Sequence, residues 1–477
     1  MSTKLKMSAF LPVAFAILSG LALICKLFNI SIFKEKPAGI PNGSTGYFPL
    51  LGETLSFIKP HESNSPGSFL QEHCSRYGSI FKSHLFGRPT IVSCDLELNM
   101  FILQNEEKLF QSSYPKPVHD ILGRSSMMLV SGELHKKLRS VAVSFINASK
   151  SRPDFIHYVD NFCISFINSW KTRSQVLFFK EAKELTFSLM LKSLVSIEAE
   201  SPLGAEVLKD FLTFMEGFVS LPLYIPGTAY SKAINARRRI SSTLKDTIIK
   251  RRESETRAGG DFLDEILANV WLSDEERVSV LLDLLLAGYE TTSGLMALVV
   301  YFLAQAPSSL QTLQEEHRVL RKRKKDNGEE LLNWEDYKNM EFTSHVLNEA
   351  LRCGNLVKFL HRKALKDVKF KEYVIPEGWQ VLPIILATHL DHTLHENPSE
   401  FNPWRWIDPT TSRKVTPYGG GLRICPGAEL GKMEAAFFLH HFVENKRRRV
   451  SNLTALFGVQ ERFIAGVGHN KLISKQN

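Results

Sequence analysis

The stretch that most constrains this chain lies near its end: Thr416-Pro417-Tyr418-Gly419-Gly420-Gly421-Leu422-Arg423-Ile424-Cys425-Pro426-Gly427-Ala428-Glu429-Leu430. A cysteine sits in a glycine-rich loop, an arginine stands two residues before it, and a helical pattern (Glu429, Leu430, Met433, Phe437) begins just after it. Gly419, Gly420, Gly421 and Gly427 permit positive φ and the close approach of a large flat group, while Pro426 directs the chain into the helix. Amide donors at that helix start, with its dipole, favour sulfur as the thiolate. Arg423 supplies a guanidinium for an anionic edge of the same group. A buried structural cysteine beside a tight turn would explain the loop alone. Further motifs along the chain weigh against that plainer account.

The chain has 477 residues, 44% of them hydrophobic and 23% charged, which gives ample core for a globular protein. Length alone suggests about three domains. The formal charge of +9 admits nucleic acid, an anionic membrane surface or an acidic protein as partner, and no nucleic-acid motif is present. Six cysteines (Cys25, Cys74, Cys94, Cys163, Cys353, Cys425) lack paired spacing, so neither a disulfide framework nor a zinc site is indicated and a reducing compartment fits. Met7 to Cys25 is uncharged and apolar, a length within the ~17–25 residues that span a bilayer. Either an anchor or a cleaved signal peptide has this form; a signal peptide would deliver unpaired cysteines to an oxidising space, so an anchor over residues 1–36 is expected. Lys26, Lys34 and Lys36 after the span outnumber Lys4 and Lys6 before it, which places the body in the cytosol. Residues 37–52, rich in proline and glycine, then form a stiff hinge.

Alternation over Gly78 to Val92 predicts strands, broken at Gly87 and Pro89. Gly132 to Arg139 opens a helix that carries His135 and Arg139 on one face, two cationic or donor groups able to meet one anionic edge. Residues 155–252 read as helical except at Leu221-Pro222-Leu223-Tyr224-Ile225-Pro226-Gly227; a buried core turn and an exposed contact with membrane or lipophilic ligand both fit that apolar break. Val278 to Ala304 is an apolar helix containing Ala287-Gly288-Tyr289-Glu290-Thr291-Thr292. There Gly288 opens space on the helix surface, with an acid and a hydroxyl beside it. Arg321 to Lys325, before Asp326-Asn327-Gly328, reads as a solvated surface turn. Glu349 and Arg352 share a helical face, and Arg405 follows downstream in Phe401-Asn402-Pro403-Trp404-Arg405-Trp406. Segments 368–375 and 379–382 flank Pro376-Glu377-Gly378 as a hairpin.

Tyr418, Gly421, Arg423, Cys425 and Gly427 together resemble the cytochrome P450 signature; Tyr418 replaces the usual phenylalanine and Leu422 stands where plant members mostly carry proline. The Ala287–Thr292 run, the Glu349–Arg352 pair with Arg405, and the Gly132–Arg139 helix resemble three more elements of that family, with His135 where tryptophan is usual. The resemblance implies a mainly α fold with a smaller β region, the P450 fold, preceded by an N-terminal membrane-anchor helix. It implies haem b with Cys425 as axial ligand, and Arg423, His135, Arg139 and Arg362 toward the propionates. Gly288, Gly421 and Gly427 would make room for the cofactor, and Glu290 with Thr291 would deliver protons. Glu349, Arg352 and Arg405 would serve folding and haem loading. NADPH would act indirectly, through a reductase, at the endoplasmic reticulum membrane. Lys136, Lys137, Arg413, Lys414 and Lys432 flank the two haem-contact segments, and both a basic face that steers an acidic reductase and scattered surface charge fit them.

The likeness is closer to plant P450s of the sterol and brassinosteroid branch, through residues 48–54, Phe359-Leu360-His361-Arg362-Lys363-Ala364 and Leu439-His440-His441. That branch implies hydroxylation of a sterol side chain, at C-22 by the nearest resemblance; relatives acting on triterpenes or diterpene acids share much of the pattern. The haem domain would run over residues 53–477. After Asn445 the chain departs from the family: residues 446–477 hold no proline, where members carry a proline- and phenylalanine-bearing loop over the haem pocket. A haem-binding isoform without turnover is the alternative this departure raises.

Overall fold

The element that organises the molecule is the helix Asp274–Gln305, and its start is written in the residues that precede the apolar run. Ser273 Oγ accepts from the Glu276 amide at 3.2 Å while the Glu276 carboxylate accepts from the Ser273 amide at 2.7 Å, a reciprocal cap. Asp274, Glu275 and Glu276 place negative charge on the positive end of the helix dipole. Its 32 residues extend about 48 Å at 1.5 Å per residue, long enough to pack against several other helices. It is the one helix among the described residues long and apolar enough to cross a membrane, yet most of it is buried against other helices, which makes it a core helix. The computed structural model describes residues 38–46, 52–171, 173, 176–220, 222–253 and 260–444; the expected anchor, part of the hinge and the atypical tail lie outside them.

Around this central helix pack the helices Gly132–Ser151, Phe178–Val195, Ala229–Glu253, Glu341–Gly354 and Ala428–Glu444, the last being the one that follows the cysteine. Their apolar faces join in one large core that includes Phe187, Phe211, Met296, Val299, Phe437 and Phe438. Seven strands among the described residues flank it. Five form one sheet in the order β1 (Ile80–Leu85), β2 (Arg88–Ser93), β7 (Gln380–Pro383), β4 (Arg362–Ala364), β3 (Phe110–Ser112); β5 (Val368–Phe370) and β6 (Tyr373–Ile375) form a separate pair. Only β2 and β7 run parallel within the five. Side chains alternate between two buried faces, Phe81, Val92 and Leu382 on one and Ile80, Ile91 and Val381 on the other, so both faces of the sheet are covered.

Two expectations are corrected here, and one left open is resolved. The segments flanking Pro376–Gly378 do not pair with each other: β5 pairs β6 through a turn at Lys371, and Pro376–Trp379 hands the chain on to the other sheet. The basic run at 321–325 ends the helix Pro307–Asp326 rather than forming a turn, while Lys322, Arg323 and Lys325 are solvated as expected. Lys324 in it is buried, 2.7 Å from Asp336 and 2.8 Å from Glu329, because neutralised charge can be packed where free charge cannot. The apolar break is an exposed loop, not a core turn: Leu223, Tyr224 and Ile225 are 50%, 56% and 56% exposed. The described part of the hinge is docked on β1. The Lys82 amide donates to Asn42 at 3.0 Å, and a side chain at Gly43 would meet the Lys82 carbonyl 1.9 Å away, so the backbones touch as only glycine allows.

Candidate active site

The cysteine loop is held by backbone contacts that its glycines make possible. The Cys425 amide donates to the Tyr418 carbonyl at 3.0 Å, and Gly421, at φ +62°, brings its Cα so close to the end of the helix Leu96–Gln104 that a Cβ would lie 2.0 Å from the Leu103 carbonyl. Gly421 therefore makes room for a neighbouring backbone rather than for a ligand. Gly427 has open space where a side chain would project. Cys425 is exposed, and two residues separate it from the helix Ala428–Glu444. Desolvation in the loop pushes its thiol up, while the Gly427 amide, Arg139 and the Ala428 amide pull the other way, as thiolate stabilisers at a helix start do.

The cysteine helix packs on the central helix, where a side chain at Gly431 would sit 3.1 Å from Thr292 Oγ1. Next to that contact, Ala287 and Thr291 are exposed in the middle of an otherwise buried helix. They lie four apart on one face, and the Thr291 hydroxyl donates to the Ala287 carbonyl at 2.7 Å. Glu290 turns to another side, where its Oε2 is 3.0 Å from Lys183 Nζ on the helix Phe178–Val195. Gly288 does not open onto the exposed face either. A Cβ there would meet the Met190 thioether at 2.5 Å, so this glycine serves close packing of two helices.

Four of the expected anion-binding residues converge beside the cysteine loop. Arg139 donates to the Ile424 carbonyl. His135 is buried and its imidazole is lowered to about 4, first by desolvation and then by Arg423 and Arg139, so at neutral pH it is a neutral hydrogen-bonding group and not a cation. Arg423 and Arg362 both reach Glu106, a residue the sequence motifs do not mark, at 2.6 Å each. Arg362 Nε is nevertheless a buried donor with no aligned acceptor.

The Glu349 cluster forms a closed network. Arg352 grips Glu349 in bidentate fashion at 2.7 and 3.0 Å and donates to the His389, Pro398 and Glu400 carbonyls at 2.8, 2.6 and 3.0 Å. Glu349 also accepts from Arg405 Nε at 3.0 Å, the Asn402 amide at 3.0 Å and Trp406 Nε1 at 2.9 Å. Both Glu349 and Arg352 have zero exposure, which a charge pair sustains only when its remaining valences are filled. His389 carries this network to the cysteine loop. Its Nδ1 contacts Asn355 Oδ1 at 2.9 Å and its Nε2 accepts from the Thr416 amide at 3.0 Å, with the ring kept neutral because burial lowers it to about 3. No motif announced His389, which comes from long-range packing; Trp406 stands in the Phe401–Trp406 run, but its bond to Glu349 was not expected there.

The basic residues assigned to a reductase face are largely paired. Lys136 meets Glu133 at 2.6 Å, Lys137 meets Glu276 at 3.4 Å, and Lys432 meets Glu429 at 2.6 Å, while Arg413 is exposed. Among the described residues no group of three His, Cys, Asp or Glu could hold a metal ion by itself. An accessible sulfur, a rim of guanidiniums with an unaligned buried donor, and the apolar Leu422 and Ile424 beside it fit a haem, for which Cys425 would be the iron ligand and Arg423, Arg362, Arg139 and His135 would face the carboxylates.

The sequence matches the Cytochrome P450 family over residues 41–455. It is 54% identical over 419 residues to Cytochrome P450 724B1 of Oryza sativa subsp. japonica, covering 86% of this chain and 87% of that protein. It is 43% identical over 435 residues to a cholesterol 22-monohydroxylase of Paris polyphylla, covering 89% and 91%, and 41% identical over 425 residues to a steroid (22S)-hydroxylase of Oryza sativa subsp. japonica, covering 87% and 84%. Among solved structures it resembles retinoic acid bound cyanobacterial CYP120A1, with a TM-score of 0.75 at 26% identity over 85% of this chain and 92% of that one. With a family match over most of the chain and relatives 54% and 43% identical across nearly its whole length, the protein belongs to the cytochrome P450 family and is a monooxygenase.

Proposed function

We propose that this protein hydroxylates the side chain of a plant sterol or steroid, at C-22, in brassinosteroid biosynthesis. One C–H bond becomes C–OH, one oxygen atom of O2 leaves as water, and two electrons come from NADPH through a reductase. We also place it at the endoplasmic reticulum membrane, with residues 1–36 as a single-pass anchor and the body in the cytosol. The observation that carries the substrate class is the likeness to relatives named as cholesterol and steroid 22-hydroxylases over 87–89% of this chain.

Thiolate-ligated haem supplies the oxygen activation, because electron density from sulfur favours O–O cleavage. The chain's own residues do the rest. Cys425 is exposed for ligation, and the Gly427 and Ala428 amides favour its charged form. Ala287 presents a small side chain, so a lipophilic substrate can approach that face. Thr291 holds its hydroxyl on Ala287 and can turn to hold a water, while Glu290, held by Lys183 on another side of the helix, would have to leave that partner and take up a proton before passing one to that water.

The test is a carbon monoxide difference spectrum of the reduced protein, then product analysis with cholesterol and with a plant sterol. A thiolate-type spectrum that Cys425→Ala abolishes and Cys353→Ala preserves, with a 22-hydroxylated product, is expected. Product only from a triterpene or a diterpene acid would overturn the substrate assignment. A thiolate spectrum without any product would identify the chain as a haem-binding isoform.

A further inference from the structure

Glu106 is a carboxylate at 1% exposure that none of the expected site motifs includes. It lies just past the helix Leu96–Gln104, in a turn closed by the Leu109 and Phe110 amides on the Asn105 carbonyl at 3.0 and 3.2 Å. Its Oε1 accepts from Arg423 Nε at 2.6 Å and from the Ser112 amide at 3.0 Å; its Oε2 stands 2.6 Å from Arg362 Nε. The two arginines come from separate parts of the chain, one from β4 and one from the cysteine loop two residues before Cys425. The β3–β4 register sets Ser112 opposite Arg362, so strand pairing fixes the spacing on one side. On the other side Gly421 seats the cysteine loop on the carbonyl of Leu103, three residues before Glu106. One carboxylate therefore ties sheet, helix end and cysteine loop together.

A hydrophobic staple could join the same elements without the desolvation cost of three buried charges. What an apolar residue could not do is hold two guanidiniums close together, because like charges repel unless an anion lies between them. The edge of a haem presents two carboxylates side by side and so requires such a pair of cations. Arg423 is already committed in part to the protein: it also donates to the Met127 carbonyl at 3.2 Å and to Ser131 Oγ at 3.2 Å, which leaves Glu106 setting the plane of its guanidinium.

We propose that Glu106 is a positioning residue for the cofactor: it holds the Arg362 and Arg423 guanidiniums at fixed spacing along the rim that receives the haem carboxylates, and it offsets part of their charge at the iron. The proposal rests on the haem-thiolate reading above, and the experiment separates the two. Full-length protein loaded with haem is compared as parent, Glu106→Gln, Glu106→Asp and the double variant Glu106→Gln/Arg362→Gln. Three quantities are read: the carbon monoxide difference spectrum, the rate of haem transfer to apomyoglobin, and the midpoint potential. Loss of one buried negative charge should move the potential of Glu106→Gln positive, since the reduced iron is then favoured. Its haem transfer should quicken by about 10–100-fold, the usual effect of removing a partner behind a ligand. The double variant should return the potential toward the parental value, because the lost charges cancel, while haem transfer stays fast. Glu106→Asp should keep the parental potential with faster transfer, since the shorter carboxylate cannot reach both arginines. Parental potential and parental transfer in Glu106→Gln would overturn the proposal, as would an equal shift in the single and double variants. If Glu106→Gln accumulates no haem, the double variant should still load it, and a double variant equally empty would assign Glu106 to folding alone. A parent without a thiolate spectrum would remove the haem reading itself.

Discussion

Thr291 and Glu290 are adjacent in sequence, yet the helix turns them to different sides, and this separates two roles that the motif merges. Thr291 is exposed on the face shared with Ala287, whereas Glu290 is neutralised by Lys183 at 3.0 Å. Thr291→Ala should therefore keep haem and its spectrum but lose the hydroxyl that orders a proton-carrying water. General acid–base groups typically contribute about 10²–10⁴-fold, so product formed per NADPH should fall steeply while peroxide rises. Equal coupling in variant and parent would exclude the role. Cys425 and the residues with motif spacing were legible from sequence because short-range geometry dictates them: a sulfur at a helix start, a pair three apart on one helix face. Glu106, His389 and Lys183 were not, since each gains its meaning from a partner brought near by the fold, Arg423 lying 317 positions from Glu106. Gly288 and Gly421 show the converse. Composition marked where space was needed, but what occupies it is Met190 in one case and the Leu103 carbonyl in the other.

Among elements, the central helix does more than present its exposed face. Asp283, fully within it, accepts from Ser126 Oγ at 2.8 Å and from the Met127 amide at 2.6 Å, and so holds the segment whose carbonyls receive Arg423. Desolvation raises this carboxyl to about 7, above its ordinary value near 3.8, against the pull of those hydrogen bonds and of Arg237. The sign follows from linkage. A group raised in the folded state binds a proton there that the unfolded chain has lost, so its contribution is fully present below about pH 4 and disappears as pH rises through about 7. The slope is at most about 1.4 kcal/mol per pH unit between those limits. Asp283→Asn stays neutral throughout, and the Ser126 hydroxyl can rotate to accept from the new amide. The difference in melting temperature between parent and Asp283→Asn should therefore move in favour of the variant as pH is raised from 4 to 7, and level off above. Parallel pH profiles would show that Asp283 does not titrate in this range. The central helix was readable from its apolar run over Val278–Ala304, though its cap at Ser273 and Glu276 was not read, and neither was the partner of each strand: β6 lies next in sequence to β7 and pairs instead with β5.

At the scale of the whole molecule, two of the exposed apolar groups among the described residues come from just after the hinge and from the helical half of the chain. Leu55 and Ile58, just after the hinge, are 59% and 54% exposed, and Leu223, Tyr224 and Ile225 protrude from the loop that joins two helices. The neighbouring helices bury their apolar faces in the large core, so the exposure of this loop is not a shortage of core to pack against. Its backbone is held from within, the Thr228 hydroxyl donating to the Leu223 and Ile225 carbonyls at 2.7 and 2.8 Å, so the three side chains are presented outward on a fixed support. A bilayer is the partner expected for such a loop, independent of the anchor assigned to residues 1–36. Burying each such side chain contributes about 1.5–3 kcal/mol, so two of them set an association that differs by roughly a hundredfold or more from its absence. A chain beginning after residue 36 should therefore still co-float with neutral phosphatidylcholine vesicles, and Leu223→Asp with Ile225→Asp should release it without changing the thiolate spectrum. Binding that survives both substitutions, but is lost when Leu55 and Ile58 are changed to aspartate, would assign the contact to the hinge side. Binding unaffected by all four would mean that neither surface leans on the membrane.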